Sequence, residues 1–327
     1  MSVETSRTAF FIGGSNPRLK KAVLITGIGG DIAQGVATIM RETRPDLRLI
    51  GIDIHSEHGG HLFVDALEVV SSATDPNYCK QIQAVIEKYG VEIFIPMTEP
   101  ELGVLFPLID MFPGVHFVTA GTQVVAAGLD KLATIEALKA LGLPVPWTLS
   151  VKEGVPASYP CIFKNRYGSG SRAVFRLENS RDSNYFASRY PEGIYQELLE
   201  PADREVTCAV YRKRDGETMC LQMLRKLTGG FTGWAKIITE EETSSMCKKI
   251  AEGLDLRGSM NVQLRLTERG PRVFEINPRF SSTVLMRHRV GFSDVLWSIQ
   301  EAEGEQIKFP VISNHKIMVR TQSAAVF

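Results

Sequence analysis

The sequence predicts an α/β protein in two parts, a Rossmann-like domain over residues 1–120 and an α+β domain over residues 121–327. The first part alternates buried strands with amphipathic helices, a pattern typical of a parallel sheet with right-handed crossovers. The second part consists mainly of short β-rich segments with fewer helices. A chain of 327 residues is long enough for two such domains.

The elements of the first part follow from local patterns. Residues 22–26 are all apolar or β-branched and predict a buried strand, followed by a glycine-rich turn and a helix over about 31–42. A second strand is expected over 47–54. Asp75-Pro76 is typical of a helix start, and Gly90 lies where that helix should end. Residues 91–96 then predict another buried strand.

The second part begins with a predicted helix over 130–141, after which Pro144 and Pro146 break the pattern. An amphipathic helix is expected over 240–254, with Met246, Ile250 and Leu254 on one face. The strands predicted in this part cover 161–164, 173–177, 193–199, 206–212, 219–224, 261–266 and 272–276.

The first motif is the glycine turn Gly27-Ile28-Gly29-Gly30, which follows a strand and precedes a helix, with Asp53 ending the next strand. This is the setting of a dinucleotide-binding loop, in which an acidic residue binds a ribose. Ile32 occupies the place of the third glycine, however. The turn is therefore interpreted as a structural or substrate-side loop, and an NAD(P)-dependent oxidoreductase remains an alternative function.

The second motif runs from Lys164 through Gly168, Ser169, Gly170 and Ser171. A lysine at the end of a strand leads into small residues that expose successive backbone N–H groups, which suits a triphosphate. The sequence is not a Walker A loop. A solvent-exposed hairpin loop would explain the small residues but not the lysine at the strand end.

The third motif combines Gln263 on one predicted strand with Glu275, Asn277 and Arg279 at the end of the next. Residues two apart on a strand face the same side, so Glu275 and Asn277 should lie together. A carboxylate and two amide oxygens suit Mg²⁺, and an arginine beside them suits phosphate. The alternative is an edge hairpin with scattered polar residues.

These motifs, taken in order with Asp130-Lys131 and Gln196-Glu197-Leu198-Leu199, resemble the ATP-grasp superfamily over residues 22–295. The 261–263 and 275–279 elements are similar to the large subunit of carbamoyl-phosphate synthase, and the chain looks like one half of that subunit. The resemblance implies a pre-ATP-grasp domain over 1–120. It also implies an ATP-grasp domain over 121–327 with a small lid lobe at about 147–198.

The resemblance also assigns roles. The residues that would contact or close over the ATP phosphates are Lys131, Lys164, Gly168, Ser169, Gly170 and Ser171. Glu197 and Leu199 would hold adenine and Glu205 the ribose. The metal ligands for Mg²⁺ or Mn²⁺ would be Gln263, Glu275 and Asn277, while Arg279 and Lys164 would be catalytic. Asn165 and Ala173 depart from the family's usual proline and glycine, which suggests a divergent member.

The activity that the resemblance implies is that of a carboxylate–amine or carboxylate–thiol ligase, with an acyl phosphate intermediate and ADP and phosphate as products. No glutaminase region is recognisable, so an amino acid or small carboxylic acid is the expected substrate. Candidate substrate groups are Glu99 and Glu101 at a strand end, Arg225 and Lys226, and Arg287-His288-Arg289. A non-catalytic nucleotide-binding module is a third hypothesis.

The composition limits the classes of partner that we expect for this protein. The 37 basic and 37 acidic residues cancel, which argues against a general nucleic-acid binder. No apolar run reaches membrane-spanning length, so we expect a cytoplasmic protein acting on small-molecule carboxylates and amines. Whether it forms a homodimer is left open. The five cysteines form no CxxC pair, and we expect neither a zinc site nor a disulfide framework.

Overall fold

The computed structural model describes residues 20–168 and 174–321, apart from the side chain of Pro107. Its first unit alternates strands and helices, and residues 59–62 form an additional short 3₁₀ turn. The elements of this unit, in chain order, are β1 (Ala22–Ile25), α1 (Asp31–Thr43), β2 (Arg48–Asp53), β3 (Ala66–Val69), α2 (Tyr78–Tyr89), β4 (Val91–Ile95), α3 (Glu99–Met111) and β5 (His116–Phe117).

These five strands form a parallel sheet in the order β3-β2-β1-β4-β5. All four residues of β1 are buried, because helices cover the sheet on both faces. The strand order reverses beside β1, so a crevice opens at the carboxyl ends of β1 and β4, the usual place for a ligand in such a sheet. The predicted Rossmann-like fold is confirmed.

The second unit begins with two helices and then forms two antiparallel sheets. Its elements are α4 (Thr122–Leu129), α5 (Lys131–Ala140), β6 (Thr148–Ser150), β7 (Cys161–Asn165), β8 (Val174–Leu177), α6 (Ser180–Arg189), β9 (Gly193–Glu197), β10 (Glu205–Arg212), β11 (Thr218–Thr228), β12 (Phe231–Ile238), α7 (Glu241–Gly253), β13 (Gly258–Thr267), β14 (Gly270–Asn277), α8 (Val284–Arg289), α9 (Asp294–Ala302) and β15 (Ile317–Val319). The small sheet has the order β6-β9-β7-β8, and the large sheet has the order β14-β13-β10-β11-β12-β15. The predicted α+β character of this half is confirmed.

The large sheet has two chemically different faces. On β10 and β13, alternate residues such as Val206, Cys208 and Val262 pack against α7 in an apolar core. The residues between them, including Glu205, Thr207 and Gln263, point to the opposite face. That polar face is directed toward the small sheet and the first unit, which is where a ligand would lie.

One extra residue interrupts the pairing of β14 with β13. Glu275 lies opposite Gln263 and Val273 lies opposite Leu264, so Phe274 has no partner of its own. This β-bulge reverses the alternation of the strand. Val273 and Ile276 therefore both pack in the apolar core, while Phe274 and Glu275 both line the cleft on the other side.

The last two helices return to the first unit. Val284 of α8 and Val295 of α9 pack in the same core as α1, and a Cβ at Gly35 would lie 3.1 Å from Val284 Cγ1. Arg287 on α8 is fully buried and donates to Asp294 Oδ1 at 2.9 Å, while Asp294 also accepts from Ser259 on β13. The two units are thus joined through α8 and α9.

Several predicted boundaries are wrong by a few residues. Helix α2 begins at Tyr78 rather than at Asp75-Pro76, because the Asp75 carboxylate accepts from the Asn77 amide and forms a turn ahead of the helix. The long strand β12 was not predicted. Among the described residues, none of the helices has the length and apolarity needed to span a bilayer.

Candidate active site

A cleft of about 1090 Å³ lies between the parallel sheet, the small sheet and the polar face of the large sheet. The first unit contributes the carboxyl ends of its strands, at Gly27, Asp53, Val70 and Met97. The antiparallel sheets contribute β7, β9, β10, β11, β13 and β14. This volume exceeds that of most single-ligand pockets, so the cleft can hold two reactants side by side.

Lys164 lies inside the cleft at the end of β7 and is buried, with 8% of its surface exposed. Its Nζ donates to Gln196 Oε1 on β9 at 2.7 Å and lies 4.7 Å from the centre of the Phe274 ring. Burial lowers the pKa of Lys164 to about 8, and the negative charge of Glu275 opposes that shift. A cation held in a dry site with one neutral acceptor is ready to pair with an anion.

The loop after Lys164 lies against the start of α5. Lys131 Nζ donates to the carbonyl oxygen of Gly168 at 2.5 Å, and Arg166 forms a two-armed ion pair with Asp130, the N-cap of α5. Lys131 and Gly168 both line the cleft. The other predicted phosphate-loop residues, Ser169, Gly170 and Ser171, and the divergent Ala173 lie outside the described residues.

Glu205 begins β10 and lies between two arginines. Arg225 on β11 donates to its Oε1 at 2.6 Å, and Arg265 on β13 donates to its Oε2 at 2.6 Å. Arg225 also donates to the amide oxygen of Gln263 at 2.9 Å. These partly buried charges hold one another in place, so the floor of the cleft is preorganised.

Gln263 and Glu275 are cross-strand neighbours, and both line the cleft. Asn277 lies next to this pair, opposite Asn261, and is buried at 5% exposure. The Nδ2 atoms of Asn277 and Asn261 have no hydrogen-bond partner among the described residues. The three side chains thus lie on neighbouring positions of one sheet face, with Asn277 deeper than the other two.

Arg279 connects the two units across the cleft. It donates to Glu99 Oε1 at 3.0 Å and to the carbonyl oxygen of Phe280 at 3.0 Å. Glu99 and Glu101 were expected at a strand end; the structure places both in the first turn of α3. Glu101 accepts from the Thr26 hydroxyl at 2.6 Å and from Tyr78 at 2.8 Å, so its carboxylate is structural.

The proposed adenine hinge follows β9. The Glu197 carboxylate accepts from the Trp147 amide at 3.2 Å and forms an ion pair with Arg269, and the Leu199 carbonyl accepts from Arg265 at 3.2 Å. Glu197 and Leu199 both line the cleft. They lie at the start of the connection from the small sheet to the large sheet.

The N-terminal glycine turn has a different environment. The Asp53 carboxylate accepts from the Gly29 amide at 2.8 Å and from the Ile54 amide at 2.7 Å. A Cβ at Gly60 would lie 2.7 Å from the carbonyl oxygen of Ile28, so the 59–62 segment lies directly over the turn. The Asp53 carboxylate therefore holds the glycine turn and the start of the following segment in place through backbone amides.

The cationic cluster after the metal motif is not a substrate site. Arg287 is buried against Asp294, His288 forms a 2.6 Å hydrogen bond with Ser293, and Arg289 forms an ion pair with Glu42. None of the three lines the cleft in the described part of the chain. Burial also lowers the pKa of His288. The prediction that these residues bind a substrate carboxylate is wrong, because their side chains instead bind neighbouring protein groups and stabilise the packing of α8.

Sequence reasoning gave no role to three residues of the cleft: Gln196, which accepts from Lys164; Phe274, whose ring lies beneath the Lys164 ammonium; and Arg265, which holds Glu205. Gln196 precedes the predicted hinge and alternates with buried Tyr195, so its position on β9 could have been found. Phe274 could not, because only the bulge turns it away from the core.

Comparisons with known proteins agree with this architecture. Residues 129–283 match a family described as the ATP-grasp domain. Among curated protein sequences, none matches the chain significantly. Solved structures match it at low sequence identity, over most of its length.

Three of these structures represent different enzymes. N5-carboxyaminoimidazole synthetase from Staphylococcus aureus, complexed with ADP, is 17% identical with a TM-score of 0.74, covering 91% of this chain and 80% of that one. The biotin carboxylase domain of the Hydrogenobacter thermophilus 2-oxoglutarate carboxylase, in complex with MgADP, ADP and bicarbonate, is 16% identical with a TM-score of 0.72, covering 91% and 73%. L-amino acid ligase from Bacillus licheniformis is 16% identical with a TM-score of 0.69, covering 87% and 74%. Residues 129–283 thus carry an ATP-grasp domain, and the chain shares its fold with these three solved structures.

Proposed function

We propose that the protein is an ATP-dependent carboxylate–amine ligase that forms an acyl phosphate and releases ADP and phosphate. The observation that carries this proposal is the position of Lys164. Its buried ammonium lies in one cleft with Glu275, Gln263 and Arg279, which are the groups a polyphosphate and its metal ion would need. Phosphoryl transfer requires positioning and neutralisation of charge rather than a covalent enzyme intermediate.

The nucleotide would lie between the small and large sheets. We propose that the backbone around Glu197 and Leu199 holds adenine and that Glu205 accepts from the ribose hydroxyls while keeping part of its contact with Arg225. Lys164, Lys131 and the loop at Gly168 would bind the phosphates. The small sheet, within residues 147–198, would then act as a lid over a nucleotide held by the domain over 121–327.

The residues around Glu275 fit a magnesium or manganese ion. The donors are one carboxylate and two amide side chains, all oxygen ligands suited to a hard cation that retains phosphate and water. The unpartnered atom of Asn277 is its Nδ2 donor, which a phosphate oxygen rather than the cation would satisfy. Gln263, Glu275 and Asn277 would hold the ion, which would neutralise charge on the terminal phosphates.

Arg279 would stabilise the phosphoryl group in transit. Its guanidinium is kept in place by Glu99 and the Phe280 carbonyl, so it needs little reorganisation when charge develops. The substrate carboxylate would lie on the side of the first unit, near Met97. The fold shared with an L-amino acid ligase supports an amino acid or a small carboxylic acid as the substrate and an amine as the acceptor.

The products of ATP cleavage test the reaction type. Purified protein would be incubated with ATP, Mg²⁺ and pooled amino acids and metabolic acids, and nucleotides would be separated by chromatography. We expect ADP and phosphate, with hydroxylamine replacing the acceptor and trapping the acyl phosphate as a hydroxamate. AMP and pyrophosphate would falsify the acyl-phosphate mechanism.

A further inference from the structure

Three of the five cysteines meet in the core beneath the large sheet. Cys208 on β10, Cys220 on β11 and Cys247 on α7 have their sulfur atoms within 4.8 Å of one another. Cys208 and Cys247 are buried, whereas Cys220 is half-buried. Their separation along the sequence hides this cluster, which is why spacing alone predicted no cysteine-based metal site.

We propose that Cys208, Cys220 and Cys247 bind one thiophilic metal ion of the class that includes Zn²⁺, Cd²⁺ and Cu⁺. With metal–sulfur bonds of about 2.3 Å, the three sulfurs of such a site lie about 3.8–4.0 Å apart. Starting from separations of at most 4.8 Å, each sulfur has to move inward by roughly 0.5 Å or less. Small rotations of the three side chains are sufficient for this movement.

The ligand chemistry selects the class of ion. In the described part of the chain the cluster consists of three sulfurs, without an imidazole or a carboxylate. Sulfur ligands favour soft and borderline ions over Mg²⁺, which prefers oxygen. The cluster therefore does not duplicate the oxygen-rich cleft, from which it is separated by the thickness of the sheet: Thr207 and Cys208 are successive residues of β10 and point to opposite faces.

The three thiols are not equivalent. Cys208 and Cys247 are fully buried, whereas part of Cys220 is exposed. It is therefore the ligand that an entering ion would meet first, and the positive charge of the bound ion would compensate the thiolates that form in the core.

The test is a titration of the full-length, reduced and chelator-treated protein with Cd²⁺. Thiolate–cadmium coordination gives an ultraviolet charge-transfer band that oxygen ligands do not give, so binding in the cleft does not interfere. We expect the band to saturate at one Cd²⁺ per chain. Cys220→Ser should weaken binding by more than about 100-fold, since it removes a direct ligand.

Cys79→Ser is the matched control, because Cys79 is also half-buried but lies outside the cluster. It should leave the titration unchanged, and circular dichroism would verify that both variants are folded. In the wild-type protein, Cd²⁺ should also slow alkylation of Cys220, followed by mass spectrometry, without slowing that of Cys79. Absence of the band, its persistence in Cys220→Ser, or unprotected alkylation of Cys220 would each overturn the proposal.

Discussion

Two of the glycine-containing connections, the turn at 27–30 and the loop that follows Lys164, differ in what surrounds them. In the turn, the Gly29 amide already donates to Asp53, and a Cβ at Gly29 would lie 2.6 Å from the His58 ring. At Gly168 a Cβ would meet nothing within 4 Å. Gly29 in the turn is therefore covered by the protein itself, although Gly27 lines the cleft, whereas Gly168 is open to the cleft.

This difference shows that glycine content does not identify a phosphate-binding loop. A loop can bind an anion only where its amides lack partners and a cation is close by. The buried Lys164 provides that cation in the second connection, while the Gly29 amide of the first already donates to the carboxylate of Asp53. The following predictions test whether nucleotide binding belongs to the open loop alone.

The largest effect is expected for Glu275→Gln. This change keeps the size of the side chain but removes the carboxylate from the proposed metal site, and kcat should fall roughly 100- to 1000-fold. Nucleotide binding should persist, because the hinge at Glu197 and Leu199 is unchanged. The control is Glu268→Gln at the exposed tip of the same hairpin, which should retain full turnover in the ADP-release assay. Equal activity of the two variants would remove Glu275 from the mechanism.

Lys164→Met should weaken ATP binding by about 100-fold, because it removes a buried cation while keeping the contact with Phe274. The protein should remain folded, since a desolvated charge is removed rather than created. Lys131→Met should have a smaller effect, because its ammonium is exposed to solvent. Isothermal titration with ATP and Mg²⁺ measures both affinities, and an unchanged dissociation constant for Lys164→Met would contradict the assignment of the loop.

The lowered pKa of Lys164, about 8, predicts a dependence on pH. ATP needs the charged ammonium, so affinity should fall by up to about tenfold per pH unit above that value. Lys164→Arg should abolish this decrease, because arginine stays protonated. Without ATP, the fold should become more stable as pH rises from about 8 toward the ordinary lysine value, because the unfolded chain then holds more protons. Titrations and thermal unfolding from about pH 7 to about pH 9.5 would measure both effects.

The smallest effect on nucleotide binding is expected at the turn at 27–30. Gly60→Ala places a Cβ 2.7 Å from the Ile28 carbonyl and should lower the free energy of unfolding by roughly 1–3 kcal/mol. Gly59→Ala is the control, since a Cβ there meets nothing within 4 Å. Neither should alter ATP affinity in the titration or produce a thermal shift with NAD(P)H. A change in ATP affinity for Gly60→Ala alone would show that the turn takes part in binding.

The parts of the fold that depend on local pattern could be predicted from the sequence. The apolar or β-branched residues 22–26 identified β1, and the strand predicted over 261–266 lies within β13. Glu99 was predicted at the end of a strand, whereas it is the first residue of α3, with Pro100 in the first turn of that helix. Residues that follow a strand can either extend that strand or begin the next helix, and the local sequence alone does not distinguish the two cases.

For the site, the types of residue could be predicted but not their partners. Nothing local indicates that Arg225 and Arg265 both bind Glu205, or that Arg287 is buried with Asp294. These pairs join residues on different elements. The sequence does not show whether a charged side chain is exposed to solvent or buried in an ion pair. The cysteine cluster is hidden for the same reason.

The unpaired Phe274 has a consequence for how this strand tolerates change. Counting back from Ile276 in steps of two would place Phe274 in the core and Val273 in the cleft; the extra residue shifts that parity once. Deleting Phe274 would make Val273 and Glu275 consecutive residues opposite Leu264 and Gln263, so each would keep its present side of the sheet. The deletion would remove the aromatic ring beside Lys164 without turning the proposed metal-binding carboxylate away from the cleft. The extra residue of β14 thus places a ring beneath the buried ammonium, while the direction of Glu275 follows from its pairing with Gln263.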